Sequence, residues 1–170
     1  MSTDLQERLE NTTIAQWQAR QIEKAAHIMS VFVESSTPEK LKWRPAVDEN
    51  SKTTSILDQV GECVFANRRF RSILLEEPLP VVPDEFDTFS STEDALSQLQ
   101  ASAKALADLV RTLDSAALAK GYNSHRGFMP GALAIQLPVR NMTYHMGQIN
   151  MIQLLYGDKE FHIDVEFLTL

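Results

Sequence analysis

Four segments of this chain repeat apolar residues at steps of three, four or seven, and most of the prolines stand between them. That period belongs to helices with one buried face, so it constrains the fold more than any other feature. The first segment, about residues 4–34, has neither Pro nor Gly, and Ala15, Ala19, Ile22, Ala26, Met29 and Val33 form its stripe. Thr37-Pro38-Glu39 reads as an N-cap followed by proline at the first helical position, opening a short turn of helix. A second long helix is expected to open near residues 53–55, with Ser55 and Asp58 as a capping box. Its stripe is Ile56, Val60, Cys63, Asn67, Phe70 and Leu74.

Pro78, Pro80 and Pro83 forbid regular helix, which makes residues 77–90 a connector long enough to cross the fold. Ser91 and Asp94 repeat the cap signal, and Leu96, Leu99, Ala103, Leu106, Val110 and Leu113 give the third helix. Residues 121–131 read as a loop. The fourth helix is expected from about Ala132 to Tyr156, kinked at Pro138 and stopped by Gly157. In the tail, Phe161, Ile163, Val165 and Phe167 alternate with His162, Asp164 and Glu166. Period two predicts an extended segment, docked apolar side down on its own helices or on a second copy. The reading is all-α: a four-helix bundle with a long crossover loop between the second and third helices. Residues 1–170 form one domain, of which 159–170 are the extended tail.

Charge narrows the partners. Lys plus Arg is 16 and Asp plus Glu is 23, a net charge of −7. A chain this acidic lacks the basic face that nucleic acid or an anionic membrane surface requires. Small molecules, or copies of the chain itself, are the expected partners. No run of about 18 apolar residues is present to span a bilayer. Met1 to Glu10 is polar and acidic, without the apolar core of a secretory signal. The single cysteine, Cys63, has no internal partner for a disulfide, and the expected location is cytoplasmic.

The fourth helix carries the chemistry. Its apparent inner stripe is Leu137, Asn141, His145, Gln148, Ile152 and Leu155, polar in the middle where a plain core would be aliphatic. Asn141 and His145 are four apart and His145 and Gln148 three apart, so they neighbour one another on one face. Buried polar groups need partners or a ligand. On the second helix Glu62 sits at the shoulder of the stripe, close to Gln59 and Ala66, at a depth where a carboxylate faces an imidazole across the helices. Each has a plainer role as well: His145 as a satisfied core histidine, Glu62 on a solvated face, Asn141 capping a carbonyl freed at the Pro138 kink, Cys63 as a small inert hydrophobe. His27, next to Ala26 on the first helix, points either at the same cavity or at water. One Glu, one His and one Asn is a thin ligand set for zinc or nickel.

The run from Asn141 through His145, Gly147-Gln148-Ile149 and Leu154-Leu155-Tyr156-Gly157-Asp158 resembles the last helix of the DinB-like (YfiT-related) superfamily. Leu41-Lys42-Trp43-Arg44-Pro45 and Thr54-Ser55-Ile56 resemble the segments that lead into and open that family's second helix. The resemblance implies a four-helix bundle, often a homodimer, that binds divalent nickel or zinc through three histidines, and in some members acts as a small-thiol-dependent transferase or a hydrolase. Carried over by position, the three ligands fall on Glu62, Asn141 and His145, with one imidazole remaining of three. Tyr144, Gln148 and His27 are then the candidates for the surrounding cavity. Two functions from different classes follow: a metal-dependent enzyme, or a metal-free bundle that binds a small ligand or serves structurally as a dimer. Dimerisation also fits Trp17, Val31 and Phe32, apolar residues off the main stripe of the first helix.

Overall fold

All four long segments are helices in the computed structural model, which describes residues 12–44, 54–124, 127–160 and 162–163. In chain order the elements are α1 Ile14–Glu34, α2 Pro38–Leu41, α3 Ile56–Leu75, α4 Thr92–Arg111, α5 Ser115–Ala119, strands β1 Gly121–Ser124 and β2 Gly127–Pro130, α6 Gly131–Ala134 and α7 Leu137–Leu155.

Local chemistry sets the ends. Thr13 and Gln16 form a reciprocal capping box on α1, and Ser55 and Asp58 form one on α3. At α3 the Asp58 carboxylate accepts from the Ser55 N–H at 2.7 Å, while the Asp58 N–H donates to Ser55 Oγ at 3.1 Å. Ser91 caps α4 one way only, because the Asp94 carboxylate is taken by Ser90 and Gln98. Helix α7 ends in a Schellman turn: Gly157 has φ +83°, its N–H donates to the Leu154 carbonyl, and the Asp158 N–H donates to that of Gln153.

Helix α1 packs mainly on α4 and α7, and α3 also packs mainly on α4 and α7. Consecutive long helices α1 and α3 therefore sit diagonally, around a core that includes Ile22, Met29, Ile56, Leu99, Leu106, Met142 and Ile149. Polar ties cross this core. Asn67 Nδ2 donates to Ser102 Oγ at 3.2 Å, joining α3 to α4. Gln153 Nε2 donates to the Phe32 carbonyl and to Ser35 and Ser36 at 2.9–3.1 Å, pinning α7 to the end of α1. No helix among the described residues is long and apolar enough to cross a membrane.

The structure corrects several expectations. Residues 121–124 and 127–130, expected within a loop, are strands: β1 and β2 pair antiparallel, with Tyr122 opposite Met129. Residues 132–156 are not one kinked helix. Helix α6 ends at Ala134, Gln136 caps α7, and Pro138 sits in its first turn, where a missing N–H costs no helical bond. The freed carbonyl that Asn141 was expected to cap therefore does not arise. The inner face of α7 is Pro138, Met142, His145, Ile149, Ile152 and Gln153, so Leu137, Asn141, Gln148 and Leu155 lie off it. Phe32, expected on an outer face, is buried in the core. In the tail, Ile163 packs partly buried against the core and His162 Nε2 lies 3.0 Å from Asp158 Oδ2; Phe161, Asp164, Val165, Glu166 and Phe167 fall outside the described residues.

Candidate functional site

His145 is the one titratable group on the inner face of α7, with 3% of its side chain exposed. A ring at that depth must satisfy both nitrogens or bind something. Gln59, one turn before Glu62 on α3, takes the first: its Oε1 accepts from His145 Nδ1, and its Nε2 donates to Thr54 Oγ1. Nε2 is thereby turned toward Glu62, whose Oε1 lies 3.3 Å away. The approach lacks the alignment of a hydrogen bond, and Nε2 has no hydrogen-bond partner among the described residues.

The Glu62 carboxyl is held below its ordinary 4.5 by the His145 ring that faces it, against an opposing contribution from burial. With a proton on Nε2 the two groups attract; without one, Nε2 and Oε1 are two lone-pair acceptors in contact, and a cation between them would satisfy both.

Beside Glu62 opens a pocket of about 510 Å³, with His145 behind Glu62 and not itself on the lining. Glu62 and Asn141 line it, with Tyr144, Arg69 and Arg140 as its other polar groups and Phe65, Phe70, Val82, Phe86, Met129 and Leu137 as apolar walls. Phe86 comes from the connector. It reaches α3 because Gly61 leaves room: a Cβ there would stand 2.1 Å from the Phe86 carbonyl oxygen. Asn141 Oδ1 and Gln148 Oε1 are buried with no hydrogen-bond partner among the described residues, while Gln148 Nε2 donates to the Tyr144 hydroxyl at 3.2 Å. Cys63, one residue from Glu62, is fully buried on the apolar side of α3, where burial and the Glu62 charge push its thiol well above 9.0. It stays protonated and is no nucleophile.

The family model of the DinB superfamily matches residues 21–149. The chain belongs to the DinB superfamily. No curated protein and no solved structure matches it. The three motif segments meet in the fold. Trp43 packs edge-on against Tyr156 at 4.8 Å, Arg44 pairs with Asp58 at 2.8 Å, and Thr54 holds the Gln59 that holds His145.

This DinB-superfamily chain brings Glu62 and His145 into contact and sets Asn141 and Tyr144 on the same pocket as Glu62. Gln148 is half-buried, reaching Tyr144 rather than the pocket lining. His27 is exposed and does not line the cavity, because one residue beyond Ala26 turns it about 100° off the buried stripe. Gln59, Arg69 and Arg140 complete the site and were not singled out by spacing. Gln59 had a signal, standing three residues before Glu62 and therefore on the same face of α3. Arg69, seven residues after Glu62, had the same one.

Among the described residues no three His, Cys, Asp or Glu stand together. The fit to a metal therefore rests on a mixed set: imidazole Nε2, carboxylate Oε1 and amide Oδ1. Two ligand atoms at about 2.0–2.2 Å from one tetrahedral ion stand about 3.3–3.6 Å apart, and the 3.3 Å between Nε2 and Oε1 falls in that range. A ligating histidine commonly donates its other N–H to a fixed oxygen, the part Gln59 plays. Of the three atoms, the Nε2–Oε1 pair has the spacing of two ligands on one ion, and Asn141 Oδ1 is placed on the pocket that Glu62 lines.

Proposed function

We propose that the pocket beside Glu62 and His145 is a small-molecule site holding a divalent ion, nickel or zinc, and that the chain is a metal-dependent hydrolase or small-thiol transferase built on a four-helix bundle whose crossover is residues 77–90. One observation carries this reading. With Nδ1 satisfied by Gln59, the buried Nε2 of His145 is left beside a carboxylate, and Asn141 Oδ1 on the pocket that Glu62 lines also lacks a partner among the described residues. His145, Glu62 and Asn141 would hold the ion; Tyr144 would face the substrate. When bound, such an ion acidifies a water or a substrate thiol. The protein's own thiol takes no part, since Cys63 is buried and protonated, so any thiol in the reaction comes with the substrate.

A second reading is favoured by the direct Glu62–His145 contact. With imidazolium and carboxylate paired, the bundle is a metal-free binding or structural protein. Metal retention separates the two. Untagged full-length protein, incubated with nickel or zinc and desalted, is expected to keep about one ion per chain, and His145→Ala none. Retention of no metal by the unaltered protein overturns the metal reading and leaves the second.

The proposed partner is a second copy. Helix α7 carries Arg140 as its one Lys, Arg, Asp or Glu, and Met151 and Leu155 stand exposed along it, four residues apart. An uncharged apolar stripe on an outer helix calls for cover.

A further inference from the structure

Among the described residues, no carboxylate pairs with either of the pocket's two arginines. Arg69 is half-buried two turns along α3 from Glu62, its guanidinium 5.7 Å from the centre of the Phe65 ring, and its Nε is buried without a hydrogen-bond partner among the described residues. Arg140, in the first turn of α7, donates to Gln136 Oε1 at 2.9 Å and forms no ion pair among the described residues. By contrast Arg44 and Arg111 both pair with acids. The acidic residue lining the pocket is Glu62, already engaged with His145. Two cations, Arg69 half-buried and Arg140 exposed, are therefore placed on a pocket whose walls are mainly apolar, in an acidic protein. Leaving a guanidinium donor buried and unpaired is costly unless something arrives to accept from it. Arg suits that acceptor when it is a planar or tetrahedral oxyanion. The volume, about 510 Å³, is that of a small organic molecule.

We propose that the site takes a small organic anion, a carboxylate or phosphate monoester on an aryl or branched alkyl body. Its charge lies toward Arg69 and Arg140, its body against Phe65, Phe70 and Phe86, and its reactive end toward Glu62 and His145. The inference rests on the reading of this pocket as the working site, not on the presence of a metal.

The test is a proton–nitrogen NMR titration of full-length protein that follows the Arg69 Nε–H resonance. The probes are benzoate and phenyl phosphate, with benzamide as the neutral isostere and acetate as charge without a body. Benzoate or phenyl phosphate is expected to shift that resonance at millimolar concentration, and the tighter of the two names the head group. Benzamide and acetate are expected to bind about tenfold more weakly or less. Arg69→Gln and Arg140→Gln, followed by backbone shifts at Glu62 and Tyr144, should each raise Kd about tenfold. Arg68→Gln should leave it unchanged, since Arg68 bonds to Gln98 outside the pocket. Benzamide binding as tightly as benzoate, or no loss in the Arg69 and Arg140 variants, overturns the proposal. No shift with either anion in protein that still retains zinc or nickel overturns it too, while the metal reading stands. Arginine-dependent binding in protein that retains no metal supports it and removes the metal reading instead.

Discussion

Gln59 accepts the Nδ1 proton of His145, and that one bond decides which ring nitrogen meets Glu62. The amide is itself held by Thr54, just before the Ser55 cap of α3, so the start of one helix orients a side chain in the middle of another. Gln59→Leu preserves bulk and removes the acceptor, leaving Nδ1 buried and unpaired. It is expected to cost about 1–3 kcal/mol in denaturant unfolding. If the site holds metal, affinity measured by chelator competition should also fall about 10–100-fold.

The Glu62–His145 contact gives a pH dependence of definite sign. The Glu62 carboxyl is lowered from 4.5 in the folded protein. A lowered acid contributes stability that is present above its unfolded value and is lost as pH falls through the folded one. In metal-free protein, Glu62→Gln should therefore remove part of the stability lost between the ordinary carboxylate range and more acid conditions, and the two unfolding curves should converge in acid. A fully buried pair of this kind is worth about 1–3 kcal/mol. With 40% of the Glu62 side chain exposed, solvent screening brings the expected effect below about 1 kcal/mol. Curves that stay parallel from neutral pH into acid would refute the pairing.

The three proposed ligands should not contribute equally. His145→Ala is expected to abolish nickel or zinc retention, and Asn141→Ala to weaken it less, because a neutral amide oxygen is the poorer ligand for these ions. Isothermal titration with each metal checks the order; an Asn141→Ala loss as complete as that of His145→Ala would refute it.

Caps and turns were legible in the sequence because they are chemistry over three or four residues: Ser55 with Asp58, and Gly157 after Tyr156, fall where expected. The phase of α7 was not. Apolar residues surround that helix, from Leu137 and Val139 to Leu154 and Leu155, so periodicity gave no single face, and only packing on α1 and α3 selects Met142 and Ile149 over Asn141 and Gln148. His145 belongs to both stripes, which is why it was found. The hairpin escaped because four-residue strands of Gly, Tyr, Asn and Ser carry too short an alternation to register. Gln59 is neutral and unremarkable by composition; its part emerges only when α3 and α7 are brought together.

The connector's course depends on one missing side chain. Since a Cβ on Gly61 would collide with the Phe86 backbone rather than with a flexible tip, Gly61→Ala must push the connector off α3. The overpacking should cost about 1–3 kcal/mol, outweighing the gain in helix propensity of about 1 kcal/mol. Moving Phe86 also opens one wall of the pocket, so fluorescence of a bound apolar dye should fall in step. A Gly61→Ala protein more stable than the parent would refute the close approach.

The outer face of α7 supplies the last prediction. Met151 and Leu155 are 56% and 62% exposed, and between Tyr144 and Met151 lies Gly147, where an added Cβ would meet nothing within 4 Å. A glycine inside a helix costs about 0.5–1 kcal/mol relative to alanine. If nothing covers the face, Gly147→Ala should stabilise the protein by that amount and leave its mass in solution unchanged. If a second copy packs there, close approach gives the glycine a purpose, and the added methyl should weaken the dimer instead. Sedimentation of the unaltered chain is expected to give twice 19.2 kDa at micromolar concentration, and Met151→Glu with Leu155→Glu to give the monomer, since two buried carboxylates would face each other across the two-fold axis. A monomeric parent, or a dimer indifferent to all three substitutions, removes α7 as the interface.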